Sequence, residues 1–239
     1  MTRTLAQSLA WAADGAAHLR GMMMRMGDDA FAKPSALPDW TRAHVLTHVA
    51  RNADGMVNLL EGARTGTPMK AYPSREQRDD DIDAGGKRPA SEIRADVVAS
   101  SDRLAAAVRE MPAAAWSAIV PGPRDGTMPA SDVLWFRARE VWIHTVDLDA
   151  GASFADLPRP MLHELLTDVT TTFAGRPDFP RLLLVPKDEP LTWAVGDGDG
   201  ATEVRGPVAE IAAWLLGRSK GRGLRTAEGT RPPALPAWI

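Results

Sequence analysis

Through about the first 150 residues, apolar side chains recur at spacings of three and four, the repeat that lines one face of an α-helix. Leu5, Leu9, Ala12, Ala16, Leu19, Met23 and Met26 form one such stripe, and the run Met22 to Met24 reads as core filling by an adaptable side chain. A second stripe, Val45, Val49, Asn52, Met56, Leu59 and Ala63, belongs to a helix expected to start near Asp39 as its N-cap. A third helix is expected from about Ser91 to Glu110, with Ile93, Val97, Leu104 and Val108 turned inward. A fourth runs from Ser131 to about Asp149, with Asp132 suited to its positive end. Four helices of this length predict an antiparallel bundle. Residues 64–90, with Gly66, Pro68, Pro73, Gly85, Gly86 and the acidic run Asp79 to Asp81, read as a long irregular connection, and residues 111–130 as a second.

The pattern changes after Gly151. A helix from Pro158 to Phe173 precedes short strand-like runs at Arg181–Val185, Leu191–Val195 and Ala201–Arg205. Gly196-Asp197-Gly198-Asp199-Gly200 is a turn signal between the last two runs. A final helix is expected from Pro207 to about Leu216, with proline suited to its first turn. Pro232, Pro233 and Pro236 predict an extended tail, with Trp238 and Ile239 packing back. The division expected is therefore a helical domain, 1–150, and a small α+β domain, 151–239.

With 239 residues the chain can bury a core without covalent staples. It has no cysteine, which excludes disulfides, cysteine-ligated zinc, iron–sulfur clusters and a protein thiol nucleophile. Any sulfur chemistry needs an external thiol. A formal net charge of −3 gives no electrostatic footprint for nucleic acid or an anionic membrane. No apolar run is long enough for a transmembrane helix, and Met1 to Arg20 lacks the pattern of a signal peptide. The cytoplasm is the expected location.

Only five histidines are present: His18, His44, His48, His144 and His163. Glu140 and His144, four apart on the fourth helix, share one face. Carboxylate and imidazole on one helical face recur in metal sites built inside bundles. One imidazole from a neighbouring helix would complete three ligands and leave a fourth position open, as a catalytic zinc site requires. His44 and His48 both qualify; His48 sits deeper, beside Val49, but spacing alone does not choose between them. On spacing alone a Glu/His pair is more often a surface ion pair than a metal site.

The flanking residues carry a resemblance. Trp40 through Asn52 (WTRAHVLTHVARN) and Ser131 through Leu148 (SDVLWFRAREVWIHTVDL) resemble the metal-site helices of mycothiol-dependent maleylpyruvate isomerases. The resemblance implies a four-helix DinB-like bundle followed by a small α+β domain similar to sterol-carrier proteins, whose last helix fits Gly206 to Arg218. It implies zinc held by His48, Glu140 and His144, which selects His48 over His44. It further implies mycothiol as the external thiol, adding reversibly to the cis double bond of maleylpyruvate to give fumarylpyruvate. By position Asp147 and Arg218 match family residues near the active site, with Arg218 bridging the two domains, and Arg78 resembles a family arginine near the site. Arg218 and Arg78 are then the candidate partners of a dicarboxylate substrate and its thiol, and Asp147 either receives the N–H of a ligand histidine or pairs with an arginine. The expected partners are these small molecules, with no nucleic acid or membrane, and the expected state is a monomer. Competing readings are a transferase that consumes the thiol, and a non-catalytic protein that binds metal and an apolar ligand.

Overall fold

In the computed structural model, which describes residues 3–123, 126–196 and 200–236, the chain divides into two units, Met1–Ala152 and Ser153–Ile239. The first contains helices α1 (Leu5–Arg25), α2 (Arg42–Thr65), α3 (Arg75–Gly86), α4 (Ala90–Glu110) and α5 (Asp132–Asp147). A hairpin of β1 (Ile119–Pro121) and β2 (Thr127–Pro129) sits between α4 and α5. Among the described residues no helix is long and apolar enough to cross a membrane.

The bundle does not alternate in direction as expected. Arg51 pairs with Asp96 at 2.5 Å and Asp54 with Arg103 at 2.6 Å, so α2 and α4 advance together and are parallel. Contacts of Arg3 with Asp132 and of Trp11 with Trp135 and Trp142 set α1 parallel to α5 in the same way. By contrast His48 meets His144 while Asn52 meets Arg137, so α2 and α5 are antiparallel. Two consecutive parallel helices need a return path as long as the helix itself. That requirement explains the length of the connection between α2 and α4.

That connection is also not irregular throughout, because it contains α3. Ser74 caps the helix by accepting from the Gln77 N–H at 3.0 Å. No apolar periodicity betrays α3, since it buries only Ile82 and Gly85. Its glycines serve close packing: a Cβ on Gly85 would meet Thr47 Cγ2 at 2.4 Å, and one on Gly86 would meet the His44 ring at 2.7 Å. The 111–130 segment likewise gains the short hairpin, whose tip residues Arg124 and Asp125 lie outside the described region.

The second stripe holds at every position, Val45, Val49, Asn52, Met56, Leu59 and Ala63 all being buried. Its helix starts later than expected. Thr41, not Asp39, is the N-cap, while Asp39 turns the preceding loop at φ 63°. On α1 the buried face is rotated: Ser8, Trp11, Ala12, Gly15, Leu19 and Met23 point inward, and Leu9 is exposed. The cause is Gly15, whose missing side chain admits Trp142; Trp142 Nε1 then donates to the Trp11 carbonyl at 2.9 Å.

The second unit contains α6 (Arg159–Ala174) and α7 (Val208–Leu215) with a sheet of order β4-β3-β5-β6. The strands are β3 (Leu182–Pro186), β4 (Trp193–Val195), β5 (Thr202–Gly206) and β6 (Arg225–Thr226). β3 pairs antiparallel with β4 and parallel with β5, placing Leu182 between Val195 and Thr202. Leu182, Leu184, Val195 and Val204 are buried along with Leu165, Phe173, Ile211 and Leu215 of the two helices. The centre of the expected Gly196–Gly200 turn (Asp197, Gly198 and Asp199) and the expected packing of Trp238 and Ile239 lie outside the described residues.

A Cβ at Gly15 would approach Val141 Cγ2 to 2.5 Å and Trp142 to 2.7 Å. Gly15→Ala is therefore expected to push α1 off α5 and destabilise the first unit by about 1–3 kcal/mol. The measurement is urea unfolding, read as a lower midpoint at unchanged slope.

Candidate metal centre

The antiparallel seam of α2 and α5 brings one histidine of α2 opposite two residues of α5. His48 Nε2 lies 2.9 Å from Glu140 Oε2 and 3.0 Å from His144 Nε2, and His144 Nε2 lies 3.4 Å from the same carboxylate oxygen. One atom from each residue thus occupies a corner of a small triangle, the single such group of potential ligands found among the described residues. A tetrahedral ion with metal–nitrogen bonds of about 2.0–2.1 Å separates its ligand atoms by roughly 3.3 Å, so the triangle fits one. The donor set of two imidazoles and a carboxylate suits a zinc-like ion and leaves a fourth position unclaimed by these residues.

His44, the alternative on α2, is committed elsewhere. Its ring Nδ1 accepts from the Thr41 N–H at 3.2 Å while the His44 backbone N–H donates to Thr41 Oγ1, which closes the helix start. Its Nε2 is 3.6 Å from Asp83 on α3. The capping partner of Thr41 is thus the neighbouring histidine, in the place where a glutamate or glutamine is more usual.

The outer nitrogens of the two clustered histidines have different partners. Asp147 is fully buried, and its Oδ2 accepts from His144 Nδ1 at 2.9 Å, aiming Nε2 at the centre. On His48 the partner is Arg78, reaching over from α3 with a guanidinium nitrogen 3.2 Å from Nδ1. A guanidinium only donates, so His48 Nδ1 accepts and the ring proton sits on Nε2, directed at Glu140.

The cluster's charges follow. Burial acts to raise the Glu140 carboxyl, but hydrogen bonds and charge from both imidazoles outweigh it and hold Glu140 well below the usual carboxylate range. Burial opposes charge on His144 too, yet Asp147 and Glu140 together raise it to about 9. His48 is lowered, chiefly by burial, with the positive charges of His144 and Arg78 adding to that effect. At neutral pH the ion-free cluster is therefore an imidazolium, a carboxylate and a neutral imidazole.

Several residues around this triangle stand out in the structure that were not named as site residues, although Trp40 and Arg137 lie within the two quoted stretches. Trp40 lies with its ring 5.5 Å from that of His48. Arg137, one turn before Glu140, is 2% exposed and donates from Nη1 to the Val49 carbonyl and to Asn52 Oδ1, both at 2.8 Å. Burial lowers Arg137 to about 10, which leaves it charged at neutral pH. Tyr72 places its ring 5.7 Å from the Arg78 guanidinium carbon. The signals available in sequence were a polar Asn52 inside an apolar stripe and the presence of a single tyrosine in the chain. Arg218 belongs to the second unit, on the turn after α7, where its Nη1 donates to the Leu216 carbonyl at 2.9 Å.

A metal ion entering the triangle must displace the proton that His144 holds with a pKa of about 9. Metal affinity, measured by competition with a chromophoric chelator, is expected to rise about tenfold per pH unit between about pH 6 and 8. A flat profile would contradict this arrangement.

The model of the mycothiol maleylpyruvate isomerase N-terminal domain matches residues 12–149, and that of the MDMPI C-terminal domain matches residues 156–237. The chain is also similar to a crystal structure of the mycothiol-dependent maleylpyruvate isomerase, with 33% identity, TM-score 0.93 and the whole of both chains covered. A histidine-to-alanine mutant of that enzyme matches equally well, at 32% identity, TM-score 0.93 and full coverage of both chains. No curated protein sequence matches the chain. With both domain models matched in order and a full-length structural relative above 30% identity, the chain belongs to the mycothiol maleylpyruvate isomerase family.

Proposed function

We propose that this protein is a mycothiol-dependent maleylpyruvate isomerase that works with zinc at His48, Glu140 and His144. The observation that carries the reading is the triangle of ligand atoms at 2.9, 3.0 and 3.4 Å, in a chain that belongs to this family and has no cysteine of its own. Mycothiol supplies the sulfur that adds to the cis double bond, permits rotation about the resulting single bond and leaves again, and zinc supplies a positive charge that favours the thiolate. A reducing compartment suits such a thiol, which supports a cytoplasmic location.

The protein's own residues have separate tasks. Asp147 holds the His144 ring in one orientation through Nδ1. Glu140 balances the positive charge gathered at the centre. Arg78 is paired with Asp79 through Nη1, and its Nη2 has two alternative engagements. Coordination through His48 Nε2 requires the ring proton on Nδ1, where it cannot coexist with the donating guanidinium. Loading the site would therefore release Arg78 Nη2 from His48, and the guanidinium, which stays paired with Asp79 through Nη1 at 2.5 Å, would offer that nitrogen to a substrate carboxylate. Arg218 is the second arginine proposed for that role, a reading supported by its position in the family pattern.

Isomerase activity is tested directly by following conversion of maleylpyruvate with catalytic amounts of mycothiol. The thiol is expected to be recovered intact; depletion equal to substrate consumed would make the protein a transferase instead. His48→Ala is expected to lose bound metal and to lower kcat/KM by roughly a hundredfold or more. Arg78→Gln is expected to raise KM for maleylpyruvate by about tenfold or more while metal affinity is kept or improved, since the competing donor is gone. Metal titration and steady-state kinetics on the same preparation check both.

A further inference from the structure

Arg78 reaches the metal centre from α3, a helix with little apolar anchorage of its own, since it buries only Ile82 and Gly85. Its last turn sits in a notch on α2, with Gly85 against Thr47 and Gly86 against the His44 ring. Just beyond that turn is a clamp. Arg88, between α3 and α4, bends back so that Nε donates to the Gly85 carbonyl at 3.2 Å, while Nη2 donates to Asp96 Oδ2 on α4 at 2.5 Å. The other oxygen of Asp96 accepts from Arg51 Nη2 of α2, also at 2.5 Å. One carboxylate, its side chain 14% exposed, thus ties the end of α3 to both α4 and α2. With a charge-assisted bond on each oxygen, that carboxylate is held in one orientation. At the other end, Asn58 Nδ2 donates to the Ala71 carbonyl at 3.1 Å and secures the loop that leads into the helix.

We propose that Arg88 and Asp96 are positioning residues for the substrate: their ion pair sets the tilt of α3 and so the place of the Arg78 guanidinium, though neither touches the reacting atoms. This rests on the reading of Arg78 as a carboxylate partner. Loading the site would part Arg78 Nη2 from His48, so in the loaded protein the placement of α3 falls to its remaining attachments. Gly85, the clamped residue, lies seven positions after Arg78. At 1.5 Å per residue that is about 10 Å of helix, so a tilt of about 6° at the clamp moves Arg78 by about 1 Å. A misplacement of that size in a group that orients substrate is costly even when its cause is far from the chemistry.

Kinetics and hydrogen exchange test this. Arg88→Met keeps the stem and removes the donors. It is expected to raise KM for maleylpyruvate about three- to tenfold, with kcat and bound metal within about twofold. Asp96→Asn keeps the shape, weakens both charge-assisted bonds and is expected to act in the same direction. In an Arg78→Gln background, Arg88→Met is expected to change KM less than about twofold, because the group being positioned is gone. Without turnover, the amides of Ile82 to Gly86 are expected to exchange about tenfold faster or more in Arg88→Met, with those of α5 unchanged. Should Arg88→Met fail to fold, Arg88→Lys, which keeps a charge for Asp96 and loses the bond to Gly85, carries the same comparison. An unchanged KM, unchanged exchange in α3, or an equal rise in KM with and without Arg78 would overturn the inference, the last by marking a general loosening of the unit. Arg78→Gln with wild-type KM would remove the reading of Arg78 first, and this one with it; a KM raised by Arg78→Gln but not by Arg88→Met removes this one alone.

Discussion

The buried Arg137 guanidinium is the constraint on which the first unit's architecture turns. A charge taken this far from water must be met by acceptors, or the helix that carries it does not pack. Its acceptors are the Val49 carbonyl and Asn52 Oδ1, both on α2, and the negative charge of Glu140 on its own helix favours its charged form. The observed alignment of α2 against α5 meets that demand. In the same alignment His48 faces Glu140 and His144. Satisfying the arginine and assembling the triangle are thus one event, and a slip of one helical turn would forfeit both.

The cluster also has a way of standing without an ion. Two imidazoles and a carboxylate placed around 3 Å apart would repel or lose water's hydrogen bonds if left bare. In this structure protons bridge them: His48 donates from Nε2 to Glu140, and His144 is held charged between Glu140 and Asp147. The geometry is kept ready by hydrogen bonds that a metal ion would replace, so little rearrangement beyond proton loss and the turning of Arg78 would be asked of the chain.

What the sequence made legible follows from which signals are local. The Glu140/His144 pair could be read from helical spacing, and the α2 stripe from its unbroken periodicity. Strands β3, β4 and β5 of the second unit showed as short apolar runs bounded by turns, whereas β6, two residues long, left no such run. His48 could not be separated from His44 by spacing, because the deciding fact is a cap: the hydrogen bonds of His44 to Thr41 depend on where the helix begins. Leu9 misled because Gly15, which looks neutral in a pattern, sets the face of α1 by admitting Trp142. α3 was hidden because one buried isoleucine leaves no periodicity, and its paired glycines imitate a loop. Helix direction is not written in any local pattern; the long return path between α2 and α4 was its only trace.

The ligand atoms of the triangle are 92 and 96 residues apart along the chain, the first on α2 and the others on α5. During synthesis on the ribosome, α2 emerges long before its partner exists. The growing polypeptide must therefore carry an exposed imidazole and an uncovered apolar face through the translation of α3, α4 and the hairpin. Only when the last helix of the first unit clears the exit tunnel could the proposed ion be held by all three residues, so its loading would be a late, post-assembly step rather than a nucleus for folding.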